Sequence, residues 1–125
     1  MIGRTVTGAD PAEFLVTIDF TRPADMSDSD LGALRRAEAQ RARELSESGH
    51  LVRLWRVPGR WANWGLWHAT DRTELDQILA SLPLFPLAAI TVHATATHPN
   101  DPLRGTTPPR PNDDEGQQST WPQSL

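Results

Sequence analysis

The stretch 51–67, LVRLWRVPGRWANWGLW, carries Trp55, Trp61, Trp64 and Trp67, four of the five tryptophans in a chain of 125 residues, together with Arg53, Arg56 and Arg60. It is too apolar for a solvated loop and too rich in guanidinium groups for plain core. Pro58-Gly59 lies near its middle with alternating residues on either side, a pattern that predicts a β-hairpin. On the first strand Leu51, Arg53, Trp55 and Val57 share one face, and Val52, Leu54 and Arg56 the other. On the second, Trp61, Asn63, Gly65 and Trp67 oppose Ala62, Trp64, Leu66 and His68. A two-residue loop places Arg56 and Asn63 on the same face and a three-residue loop separates them. A one-residue slip swaps every side chain. Such a hairpin reads either as the wall of a pocket for an acidic, roughly planar molecule or as a tryptophan-rich element packing the core and a subunit interface.

On its N-terminal side, Ser27-Asp28-Ser29-Asp30 supplies N-cap candidates and places acidic groups at the positive end of a helix dipole. A helix is expected from Asp28 to Ser48, stopped by Gly49. Its apolar stripe reads Leu31, Leu34, Ala42 and Leu45, and the position between Leu34 and Ala42 is Glu38. A carboxylate on a buried stripe is disfavoured unless it is paired or used. Glu38 therefore reads as the partner of a hairpin arginine, or as a general base tuned by burial. Arg35, Arg36, Arg41 and Arg43 flank it and read from spacing alone as a solvated helix face.

On its C-terminal side, Asp71 caps a second helix with Glu74 as capping-box partner, and Leu75, Ile78, Leu79 and Leu82 form its apolar face. Pro83 stops it. The linker Leu82-Pro83-Leu84-Phe85-Pro86 is too hydrophobic to be a floppy loop, and Phe85 is placed to close one end of a pocket. Two alternating segments complete the pattern, Glu13 to Phe20 and Ala89 to Thr95, each expected to be a strand. The order strand, helix, strand, strand, helix, strand is the split βαβ, ferredoxin-like α+β arrangement, a four-stranded antiparallel sheet with both helices on one face. The other face needs cover, and two such sheets packing together would make a dimer.

Composition narrows the chemistry. All twelve basic residues are arginine, so no lysine amine is available for a Schiff base. The net charge of −4 argues against a nucleic-acid partner. The lack of cysteine removes disulfides and thiolate catalysis. No stretch approaches membrane length, and a cytoplasmic protein with no membrane partner is expected. His50, His68, His93 and His98 lie in different elements without metal-ligand spacing, so no metal site is expected. No G-x-S-x-G elbow occurs. Residues 1–12 read as a lead-in, 13–99 as the folded domain, and 100–125 as a proline-rich disordered tail in which Trp121 is an isolated aromatic.

GHLVRLWRVPGRWANWGLW, followed by SLPLFP, resembles the muconolactone Δ-isomerase family: a glycine, an LWR strand, a glycine turn, an aromatic-Ala-Asn segment and an LPLFP-type linker. The resemblance covers about Glu13 to Pro99. It implies a ferredoxin-like protomer of the dimeric α+β barrel type, assembled into dimers and, in the isomerases, a ring-like decamer. It also implies a cofactor-free 1,3 proton shift on a small acidic unsaturated lactone, muconolactone to 3-oxoadipate enol-lactone, in aromatic catabolism. Glu38 falls on the family's helix glutamate and is the expected proton shuttle. Arg56 falls on the arginine of the LWR strand, suited to a carboxylate or enolate oxygen, and Asn63 on the hairpin asparagine, placed to donate to the lactone carbonyl. Arg35 stands where the isomerases carry lysine, and with Trp67 and Phe85 completes the expected substrate-binding set. Arg60 stands in place of a histidine, Gly65 of a serine and His68 of an aspartate. The alternative is a non-catalytic small-ligand-binding or accessory protein of the same fold.

Overall fold

Alternation of apolar and polar residues builds the sheet, and the computed structural model describes it within residues 11–103. The elements are β1 (Ala12–Phe20), α1 (Asp28–Glu47), β2 (Leu51–Arg56), β3 (Ala62–Ala69), α2 (Arg72–Ala80), a single 3-10 turn (Phe85–Leu87) and β4 (Ala88–Ala94). The strands pair antiparallel in the order β2-β3-β1-β4. This is the ferredoxin-like order expected from the sequence. The chain divides into two compact units, Met1–Thr95 and Ala96–Leu125. The described part of the second, residues 96–103, contains a turn in which Asn100 N–H donates to His98 Nδ1 at 2.9 Å. The lead-in up to residue 10 and the tail from residue 104, with Trp121, lie outside the described residues.

Side chains alternate across a strand, so paired residues form rows across the sheet. On the helix-covered face one row reads Ala94, Phe14, Trp67, Leu51, the next Val92, Val16, Gly65, Leu54, and the next Ile90, Ile18, Asn63, Arg56. The first is hydrophobic throughout, whereas the third turns polar at β3 and β2. Leu45 of α1 and Leu75, Ile78 and Leu79 of α2 pack on the apolar rows in one core cluster. The opposite face carries Trp64 directly across from Trp55, 53% and 41% exposed.

The hairpin resolves the register differently from either simple loop. Val57 N–H donates to Ala62 at 3.1 Å, so four residues, 58–61, make the connection. Within it Arg60 N–H donates to Val57 O at 3.3 Å, and Gly59 has φ 79°. Pro58 followed by a glycine at positive φ meets the demands of a type II turn. Four residues have the parity of two, so Arg56 and Asn63 share a face. A bulge at Val52 corrects the remaining assignment: Leu51 pairs with Trp67 while Arg53 pairs with Leu66. The extra residue puts Leu51 on the face of Leu54 and Arg56, away from Arg53 and Trp55.

Both helices start as their sequences dictate. Ser27 Oγ accepts from Asp30 N–H at 3.0 Å, and Asp71 Oδ1 from Glu74 N–H at 2.8 Å. Glu74 reaches back to Thr70 N–H at 2.8 Å, one residue beyond the usual capping-box donor. At the end of α1, His50 N–H donates to Leu45 O and Gly49 N–H to Ser46 O, with Gly49 at φ 87°. That is a Schellman motif, and it turns the chain directly into β2.

Candidate active site

Because α1 ends where β2 begins, the two run in opposite directions, and the middle of α1 faces the upper part of the hairpin. Between them lies a groove of about 410 Å³. Arg35, Glu38, Ala39 and Ala42 line it from α1, Leu54 and Arg56 from β2, and Asn63 from β3. Positions 35, 38, 39 and 42 share one helix face by their spacing.

Glu38 is half-buried at the centre of that face. Its Oε1 accepts a hydrogen bond from Leu84 N–H at 2.9 Å. Burial raises its pKa above the ordinary carboxylate value, and the Leu84 bond offsets only part of that rise. The ion pair with a hairpin arginine, one of the two sequence readings, is not formed: no salt bridge among the described residues includes Glu38. The hydrophobic linker supplies a backbone amide in its place. This leaves the carboxyl group held at one oxygen and not neutralised by a fixed cation.

Arg56 and Asn63 face one another across the β2–β3 ladder at the polar end of their row. Arg56 has no carboxylate partner among the described residues. Asn63 Oδ1 is buried and has no hydrogen-bond partner among them. Leaving a buried acceptor unpaired costs about 1–3 kcal/mol, so this oxygen calls for a hydrogen-bond donor that none of the described residues provides.

Arg35 corrects the reading of a freely solvated helix face. Its guanidinium lies 4.9 Å from the centre of the Trp61 ring. Trp61 in turn stacks on Phe20 with ring centroids 5.0 Å apart. Arg60 lines the same groove and forms an ion pair with Asp19. Phe20 and Trp61 are groove residues that the sequence reading did not assign to the site, whereas Arg60 was marked there as a departure from the isomerase pattern. Their signal was available in part, since Phe20 ends β1 beside the tip of the hairpin that carries Trp61.

Two expected substrate-binding residues lie elsewhere. Trp67 is only 2% exposed and belongs to the core row; its ring folds over Gly65, with Nε1 2.5 Å from where a Cβ at that position would stand. Phe85 is 42% exposed and lines a separate depression with Leu79, Ile90 and Val92. No cluster of three potential metal-ligating His, Cys, Asp or Glu residues occurs among the described residues. His68 instead meets Glu13 at 3.0 Å, and His50 Nδ1 meets His68 O at 2.9 Å. No helix among the described residues is long and apolar enough to cross a membrane.

A split βαβ sheet with a half-buried carboxylate in the same groove as an arginine and an amide defines an α+β protein with a polar-lined groove between helix and hairpin. The comparisons make this specific: residues 12–101 match the family described as muconolactone delta-isomerase, and the chain belongs to that family. The muconolactone Delta-isomerase of Cupriavidus pinatubonensis is 33% identical over 87 residues, spanning 70% of this chain and 95% of that protein. The Pseudomonas aeruginosa muconolactone Delta-isomerase is 31% identical, spanning 70% and 91%. A crystal structure of muconolactone isomerase superimposes with a TM-score of 0.67 at 30% identity, covering 71% of this chain and 93% of that one.

Proposed function

We propose that this protein is a cytoplasmic, cofactor-independent isomerase that shifts a double bond in a small acidic unsaturated lactone of the muconolactone type, within aromatic catabolism. The observation that carries the reading is Glu38, a carboxylate desolvated in a groove, anchored through Oε1 and free of a fixed ion pair. A base that must remove a carbon-bound proton near neutral pH benefits from a pKa raised toward the working pH. Glu38 takes the proton from the saturated ring carbon next to the double bond that is conjugated with the lactone carbonyl. The electron pair of the broken C–H bond moves through the double bond and places negative charge on the carbonyl oxygen. Arg56 and the Asn63 amide nitrogen, Nδ2, supply donors for that charge and for the substrate carboxylate, with Arg35 as a second cation at the Trp61 end. Glu38, now a carboxylic acid, returns the same proton two ring atoms away. The double bond has moved, and nothing has been consumed.

The family relationship supports this chemistry, as does the presence of Glu38, Arg56 and Asn63 in the lining of one groove. The test is turnover of muconolactone followed by the change in its ultraviolet absorbance, with Glu38→Gln beside the wild type. Loss of general-base catalysis should lower kcat by about 10²- to 10⁴-fold. Equal background rates in both proteins would exclude the enzyme reading, and saturable quenching of tryptophan fluorescence without turnover would point to the binding protein. The exposed Trp55–Trp64 pair on the uncovered sheet face supports assembly of two copies through that face. Trp64→Glu should then lower the sedimentation coefficient, and an unchanged value would remove this face from the assembly.

A further inference from the structure

The polar groups of the groove do not occupy all of it. Arg35, which stacks on Trp61, and Arg60 mark the end near the hairpin tip, and Glu38, Arg56 and Asn63 the middle. Toward the C-terminal end of α1 the groove continues for a full helical turn past Glu38, about 6 Å. Its walls there are Ala39 and Ala42 on the helix and Leu54 on the strand. Two of these side chains are single methyl groups. Leu54 sits on the helix-facing side of the sheet, one residue pair from Arg56, yet it remains 48% exposed. A large apolar side chain turned toward a helix and left half-bare there is not fully covered by the described residues. A cavity of about 150 Å³ accommodates a benzene molecule. The whole groove, at about 410 Å³, exceeds what a five-membered lactone with one carboxymethyl arm fills.

We infer that the substrate is an acidic unsaturated lactone carrying an apolar ring substituent, a short alkyl chain or a small ring, seated against Ala39, Ala42 and Leu54. This rests on the isomerase reading above and deepens it. With the substrate carboxylate toward the arginines and the reacting C–H at Glu38, a substituent on the ring carbon between the two that exchange the proton extends along α1 toward Ala42. There it covers Leu54. Each methylene buried in this way should improve kcat/KM about fourfold, so a propyl group is worth more than tenfold.

The experiment compares two lactone acids, unsubstituted and propyl-substituted at the ring carbon between the two that exchange the proton. It uses the full chain and measures kcat/KM for each, with Kd values for the saturated, unreactive counterparts from tryptophan fluorescence. The substituted compound should be favoured at least tenfold in both measurements. Ala42→Leu, which fills the apolar end, should cut that ratio by tenfold or more. Ala39→Leu, at an exposed position that tolerates bulk, should act in the same direction if Ala42→Leu does not fold. Turnover of both lactones with a ratio near one, or variants that alter both compounds equally, would overturn the inference while leaving the isomerase intact. Absence of turnover with a tenfold binding preference erased by the variants would keep the apolar subsite and overturn the isomerase.

Discussion

The two helices of this protein lie on the same sheet and do opposite work. α2 has nine residues and buries three of them, Leu75, Ile78 and Leu79. α1 has twenty and buries only two, Leu31 and Leu45, one near each end. The difference does not come from the starts of the helices, since both have a side-chain cap at the first turn. It comes from the sheet beneath them. The apolar rows of β1, β3 and β4 give α2 a surface to bury against. The middle of α1 spans the polar end of a row at Arg56 and Asn63, so the helix stands over a groove there and joins the core cluster through Leu45, with Ala42 packed against it. Stability and chemistry are thus divided between two helices of unequal length.

That division makes separable predictions. Leu75 is fully buried, and Leu75→Ala should cost about 2–5 kcal/mol in denaturant unfolding. The activity per folded molecule should not change; a variant that folds as stably as the wild type would show that α2 does not carry the core. Gly65 lies under the buried Trp67 ring, where a Cβ would come within 2.5 Å of Nε1. Gly65→Ser should therefore overpack the site and lower stability by about 1–3 kcal/mol. An unchanged melting temperature would mean that the indole can move aside. Removing the cap of α2 with Asp71→Ala should cost about 1 kcal/mol, and chemical denaturation would reveal it.

The α1 side behaves differently with pH. The folded-state pKa of Glu38 is raised, so the folded protein holds that proton more tightly than the unfolded chain. Its contribution to stability is full below the unfolded pKa and is lost as pH rises through the folded one. Glu38→Gln should match the wild type in acid and become the more stable protein at neutral pH, the reverse of the usual effect of removing a polar group. The kcat of the wild type should fall in acid with an apparent pKa above the ordinary carboxylate range. Identical pH dependence of unfolding in the two proteins would mean that Glu38 ionises as it does in the unfolded chain.

Much of this was legible in the residues taken in order. Period-two alternation marked β1, β3 and β4, the cap residues and Gly49 marked the helix ends, and the interruption of an apolar stripe marked Glu38. Those signals are local, because they depend on backbone geometry and on residues within a turn or two of each other. Trp67 shows the limit. Within the hairpin it looks like Trp61, but one is buried in the core row and the other lines the groove with Arg35 on its ring.

The sequence by itself determined the order of elements, the helix caps, the turn at Pro58-Gly59 and the presence of a carboxylate where an apolar residue would serve folding better. Tertiary structure alone decided which groups meet. The four-residue connection sets the hairpin register that brings Arg56 and Asn63 together, and the bulge at Val52 turns Leu51 to the same face. The linker folds back so that the Leu84 amide, 46 residues away along the chain, takes the place beside Glu38 that one of the two readings gave to a hairpin arginine. The physical reason is that a strand's faces alternate with every residue, so a single inserted residue decides which side chains share a groove. No local pattern records where two distant segments will close upon each other.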